Sequence, residues 1–237
     1  MLVTELLAAT LVVLFASVIQ GVSGVGGGFI MVPILAIIDI RFVPGPMIFA
    51  TLFLSTPMAW QERTQIDYQN FWPIVIAAAP GTVLGAWLLS GIPADQLGLV
   101  FGAMILLAVS VTSLGLKLPL NRLSGGLAGL IAGTMGASSG IGAPAIAVLY
   151  QDQSAPVIRA TLALIYTLAS LLIVIVLAAF GRFGLYELTT GLQLVPGMVL
   201  GYVLSRSLAA HAAGTGIRYL VLLVSAAAAV TLIIMSL

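Results

Sequence analysis

The chain has 237 residues, 61% hydrophobic and 6% charged, with eight Lys and Arg against seven Asp and Glu. A soluble domain carries about 25% charged residues, so this chain lacks the groups to cover a water-facing surface, and a formal charge of +1 gives no basic field for nucleic acid. The lack of cysteine excludes disulfides, thiolate chemistry and Cys-ligated metals.

A bilayer accepts such a composition, provided that backbone groups are satisfied within helices or a closed barrel. The apolar runs are continuous and do not alternate, which selects helices over barrel strands. Met1 to Thr4 carry no Lys or Arg, so the N-terminus reads as a retained helix and not a cleaved signal. Charged residues punctuate the rest. They leave spans at about 2–22, 43–60, 71–90, 95–116, 122–137, 157–180, 185–205 and 216–236, each near the roughly 20 residues that a crossing needs. Two further apolar pieces, Phe29 to Ile38 and Ile141 to Tyr150, are too short to cross alone and read as half-length, re-entrant helices. The expected fold is an all-α integral membrane protein of about eight transmembrane helices plus these two segments. Lys117 and Arg122 form a close basic pair, which leans the 117–122 connection towards the cytoplasm; the other basic residues do not fix an orientation.

The chain also reads as two copies of one unit, 1–118 and 119–237. GVSGVGGGFIMVPIL from Gly21 is echoed by GTMGASSGIGAPAIA from Gly133, PMIFATLFL from Pro46 by PVIRATLAL from Pro156, and PGTVLG from Pro80 by PGMVLG from Pro196. Paired helix interruptions in an internal repeat are the sequence pointer to a secondary-transporter site. Five crossings per half would invert the second copy and four would leave it parallel, and the two short pieces decide which.

Glycine costs about 1 kcal/mol relative to alanine inside a helix, so Gly24, Gly26, Gly27 and Gly28, followed by Pro33, interrupt the first helix of copy one. Gly136, Ser138, Ser139, Gly140 and Gly142, followed by Pro144, do the same in copy two. A break frees N–H groups at the start of the next half-helix, where the helix dipole favours an anion; Ser23, Ser138 and Ser139 add hydroxyl donors. The candidate site for a small oxyanion is therefore Ser23, Gly24, Gly26, Gly27, Gly28, Gly136, Ser138, Ser139 and Gly140, with Pro33 and Pro144 as helix-break or hinge positions. Arg159 joins it as a charge inside an apolar run, the alternative being that it snorkels to the interface. Thr51 and Thr161 hold equivalent repeat positions and either line the site or bond back to their own helices. Gly81, Gly85, Gly197 and Gly201 read as helix-packing positions. Asp39 and Arg41 read as a surface pair.

No phosphate-binding loop is present and Lys117 is the only lysine, so ATP bound to this chain does not drive it. No cofactor and no metal is called for. The partners implied are a small anionic substrate, the lipid bilayer and a coupling proton or sodium ion, with a homo-oligomer open and nucleic acid excluded.

The glycine-rich stretch Gly21–Pro33, its echo Gly133–Pro144 and the blocks Pro80–Gly85 and Pro196–Gly201 resemble the sulfite exporter TauE/SafE family of membrane permeases. The resemblance implies movement of sulfite, sulfoacetate or other organosulfonates across the bacterial inner membrane. Alternating access at a site between the broken helices, with one repeat moving against the other, is the expected mechanism. Two rivals stand beside it. Gly21-Val22-Ser23-Gly24 fits the G-x-S-G string of an intramembrane serine protease, with Ser23 as nucleophile and His211 as base; a passive anion channel is the other.

Overall fold

The computed structural model describes residues 3–115, 118–208 and 215–236. They form helices α1 (Val3–Ser23), α2 (Gly27–Ile38), α3 (Gly45–Gln61), α4 (Tyr68–Gly91), α5 (Leu97–Ser113), α6 (Arg122–Ser139), α7 (Ala143–Tyr150), α8 (Ala155–Ala179), α9 (Leu185–Leu208) and α10 (Thr215–Met235), with no strand among the described residues. The polar residues between apolar runs start these helices. Asp67 accepts from the N–H groups of Gln69 and Asn70 at the head of α4, and Asn121 forms a reciprocal capping box with Ser124 at the head of α6.

Four helices, α1, α4, α8 and α9, are long and apolar enough to cross a membrane. The two short pieces are helices of 12 and 8 residues, about 18 and 12 Å long against a hydrocarbon core of about 30 Å. Outward faces are apolar: Leu7, Leu11 and Phe15 form an exposed stripe on α1 at helical spacing. In water such a stripe would be a liability; against lipid it is the expected surface. Exposed Trp60, Tyr68 and Trp72 gather where α3 ends and α4 begins, and Trp87 and Tyr186 where α4 ends and α9 begins. They form two aromatic belts of the kind that marks membrane–water boundaries.

Glycine seams set the helix pairing. A Cβ on Gly81, Gly85, Gly129 or Gly133 would stand on the carbonyl of Leu130, Thr134, Ile74 or Ala78 respectively, so α4 and α6 touch backbone to backbone. Gly197 and Gly201 meet Thr10 and Leu14 in the same manner between α9 and α1. Residue numbers rise together along both seams, so each pair runs in the same direction. Across α5 and α10 they run oppositely, Gly98 against Ser236 and Gly102 against Ile233.

Contacts at helix ends then sort the ends to two faces. On the first lie the end of α1 and of α3 and the beginning of α8, through Gly24 on Arg159 and Glu62 on Arg159. The start of α4 joins them, because the Asp67 N–H donates to Thr161. On the second lie the start of α3 and of α9, through Gly45 on Glu187, and the end of α4, whose carbonyls at Leu89 and Ser90 accept from Arg182 just past α8.

Pro33 is not where the first break falls. α2 runs through Pro33 to Ile38, and the interruption lies upstream at Gly24 and Gly26, whose φ values of +80° and +97° only glycine adopts without strain. Gly27 and Gly28 already belong to α2. The second break is made by Gly140, φ +82°. Pro144 opens α7 in its first turn, where a missing N–H costs nothing.

Candidate anion site

Two cavities lie along the break regions. The inner one, about 80 Å³, is lined by Gly28 at the head of α2, by Gly133, Gly136 and Gly140 of the α6 seam and cap, and by Gly142 at the head of α7. The two breaks therefore converge: a Cβ on Gly28 would come within 3.7 Å of the Gly140 carbonyl oxygen. Tyr166, the twelfth residue of the 25-residue α8, also lines this space, which places it near mid-depth. Gln20, Thr51 and Ser170 are the remaining polar side chains on its wall, and no charged residue lines it.

Tyr166 supplies the unmet valence. Its phenolic hydroxyl is buried without a hydrogen-bond partner among the described residues, a state that costs a few kcal/mol unless a ligand or water completes it. Thr51, also on this wall, donates to the Met47 carbonyl at 2.9 Å, while Thr161 lies off the wall and accepts from the Asp67 N–H. The first turn of α2 at Gly27 and Gly28 adds backbone N–H groups with no partner inside the helix, beside Gln20, whose Oε1 lies where a Cβ on Gly27 would stand.

Of the residues expected from sequence, Gly28, Gly136 and Gly140 meet at this cavity. Gly24, Gly26 and Gly27 shape the turn into it. Ser138 and Ser139 are buried but not on its wall: their hydroxyls donate back to Thr134 at 2.7 Å and Met135 at 2.8 Å. The Ser23 hydroxyl lies 2.7 Å from the Ile19 carbonyl and 2.5 Å from that of Val25, bonded within its own segment. His211 lies outside the described residues. Tyr166, Gln20 and Ser170 went unnamed in the sequence reading; the available signal was a polar aromatic in the middle of a 25-residue apolar helix.

Arg159 is elsewhere. It lines the outer cavity, about 150 Å³, with Glu62, Gln61, Tyr202, Arg206 and Gly21. Its guanidinium makes a two-pronged pair with Glu62, Nε to Oε1 at 2.9 Å and Nη2 to Oε1 at 2.7 Å. The side chains of Arg159 and Glu62 keep 17% and 31% of their exposure. Asp39 and Arg41 do pair at the opposite face, at 2.6 Å.

No curated protein and no solved structure matches the chain. The sulfite exporter TauE/SafE family matches residues 9–232. That span includes both breaks, both cavities, most of α1 and the whole of α4, α8 and α9, and the chain belongs to this family of membrane transporters.

Proposed function

We propose that the protein is a secondary transporter of small oxyanions, of the sulfite and organosulfonate class, which binds its substrate in the inner cavity and exposes it to each side in turn. The observation that carries this is Tyr166, whose buried hydroxyl has no hydrogen-bond partner among the described residues, on the wall of a cavity where the head of α2 meets the second break. Neutral donors without a fixed charge bind an oxyanion yet let it leave, as a carrier needs. A water takes roughly 30 Å³ of liquid, so the cavity accommodates sulfite more readily than an extended organic acid.

The architecture supports alternating access. Successive helices reverse between the two faces, so α1 leaves one face and α6, its repeat counterpart, leaves the other. The halves 1–118 and 119–237 then act as inverted five-helix repeats, with α1 on α9 mirrored by α6 on α4 and the cavity near their pseudo-two-fold axis. The faces differ in charge. The helix ends meeting at Glu62 and Arg159 bring Arg63, Arg122, Arg159 and Arg206 to one face together with Glu62, Asp67 and Asp152, whereas Arg41 and Arg182 share the other with Glu5, Asp39, Asp95 and Glu187. By the positive-inside rule the first face is cytoplasmic, in the bacterial inner membrane on the family reading.

The test is uptake of radiolabelled sulfite and sulfoacetate into proteoliposomes, with and without proton or sodium gradients. Tyr166→Phe is expected to lower saturable sulfite uptake at least about tenfold, the scale of a lost hydrogen bond to a charged ligand. Uptake unaffected by Tyr166→Phe would remove the site. Uptake that never saturates and shows no counterflow would favour a channel. Because the chain has no cysteine, Gln153→Cys and Asp95→Cys report orientation directly: an impermeant thiol reagent should label position 95 in intact cells and position 153 only after permeabilisation.

A further inference from the structure

We propose that the outer cavity is a second anion site, on the face assigned to the cytoplasm, in which an oxyanion takes Arg159 away from Glu62 before passing to the inner cavity. The proposal rests on the transporter reading above and adds to it where substrate is first held.

The charges are arranged for exchange. Two guanidinium groups, Arg159 and Arg206, face one carboxylate, Glu62, around the same 150 Å³ space. Arg206 is exposed and makes no ion pair with another described residue, so the pocket stays net cationic even with the Arg159–Glu62 pair closed. The Nε and Nη2 edge that Arg159 presents to Glu62 is the same planar fork that grips any two-oxygen edge, a sulfite or sulfonate included. Glu62 retains enough exposure to be rehydrated when displaced, so exchange does not strand a buried charge.

A third donor waits on the wall. Tyr202 lines the cavity, and its buried hydroxyl has no hydrogen-bond partner among the described residues. Thus an anion between Arg159 and Arg206 would satisfy a guanidinium and a phenol that Glu62 alone does not.

Position links this pocket to the inner site. Gly24, at the foot of the α1–α2 break, packs directly on the Arg159 backbone: a Cβ there would lie 3.0 Å from the Arg159 Cα. The outer site therefore sits beneath the turn that leads into α2, whose head lines the inner cavity. Phe49, the sequence counterpart of Arg159, packs against Phe53 and Phe183 with ring centroids 5.7 and 6.1 Å away, so the matching position carries no charge.

The experiment titrates full-length protein in nanodiscs with sodium sulfite and measures sulfite uptake in proteoliposomes on the same variants. Glu62→Gln, which keeps a neutral partner on Arg159, should tighten sulfite binding by roughly fivefold. Arg206→Gln, at an exposed position with little effect on folding, should weaken it by a similar factor, the scale of one partly screened charge. Tyr202→Phe should weaken it as well. Unchanged affinity in Glu62→Gln and Arg206→Gln, alongside uptake lost in Tyr166→Phe, would overturn the outer site and leave the transporter reading standing. Binding that responds to both charge variants, without uptake by the wild type, would keep the outer site and remove the transporter reading. Sulfite bound by no form of the protein would remove both.

Discussion

Phe49 and Arg159 hold the same place in PMIFATLFL and PVIRATLAL, one turn into α3 and α8. The surroundings of the two have diverged completely. Around Phe49 the rings of Phe53 and Phe183 and the close approach of Gly191 make an apolar cluster. Around Arg159 lie Glu62, Arg206, Tyr202 and a cavity. Two stretches that match in sequence thus differ in chemistry: one packs aromatic rings and the other holds an ion pair beside a cavity. The lesson is that a likeness in sequence does not carry a likeness in chemistry, and one residue at a matching position sets what gathers around it.

The sharpest way to break this contrast is to erase it. Arg159→Phe in a Glu62→Gln background gives the vestibule the residue found at the matching position without leaving an unpaired carboxylate, and should abolish sulfite uptake while the protein still folds. Wild-type uptake would show that Arg159 is only structural. The converse exchange, Phe49→Arg, puts an unpaired charge among aromatic rings and should destabilise the fold by about 2–3 kcal/mol, seen as loss of monodisperse protein in detergent. Next comes Gly24→Ala. Its positive φ and the nearby Arg159 backbone predict about 1–3 kcal/mol of strain and reduced uptake, while a neutral result would mean that the break relaxes freely.

Smaller effects sharpen the picture. Ser139→Ala removes a hydroxyl bonded only to its own helix and should change uptake by less than about twofold; a large loss would bring Ser139 into the site after all. The least is expected from Asp39→Asn. Burial opposes the Asp39 charge, but the Arg41 guanidinium and backbone N–H outweigh it and hold the carboxyl below its ordinary value. A depressed carboxylate stabilises the fold above its unfolded pKa and loses that contribution as the pH falls through the folded value. The melting difference between wild type and Asp39→Asn should therefore be present at pH 7 and vanish in strong acid, with uptake at pH 7 unchanged. A pH-independent difference would contradict the pairing.

Much of the helical layout was legible in the residues. The reading 122–137 became Arg122–Ser139 and 157–180 became Ala155–Ala179, because polar residues between apolar runs end helices locally. The half-length pieces were recognisable for the same reason, and the glycine clusters announced the breaks, although the turn falls at Gly24–Gly26 and not at Pro33. The candidate site was legible only in part. Gly28, Gly136 and Gly140 meet at the inner cavity, whereas Ser138 and Ser139 turned back on their own helix, a matter of rotation that glycine-rich sequence does not encode.

By itself, then, the sequence determined the class of molecule, the positions of its helices and where they are interrupted. In lipid every backbone group must be satisfied nearby, so secondary structure is a local property written in runs of apolar residues and glycines. Only the tertiary structure decided that Tyr166 lines the inner cavity, that Glu62 reaches Arg159 across 97 residues of chain, and which face collects the arginines. Each of these depends on how distant helices pack, and that packing is set by reciprocal backbone contacts such as Gly85 on Thr134 and Gly201 on Leu14, which no single stretch of residues contains.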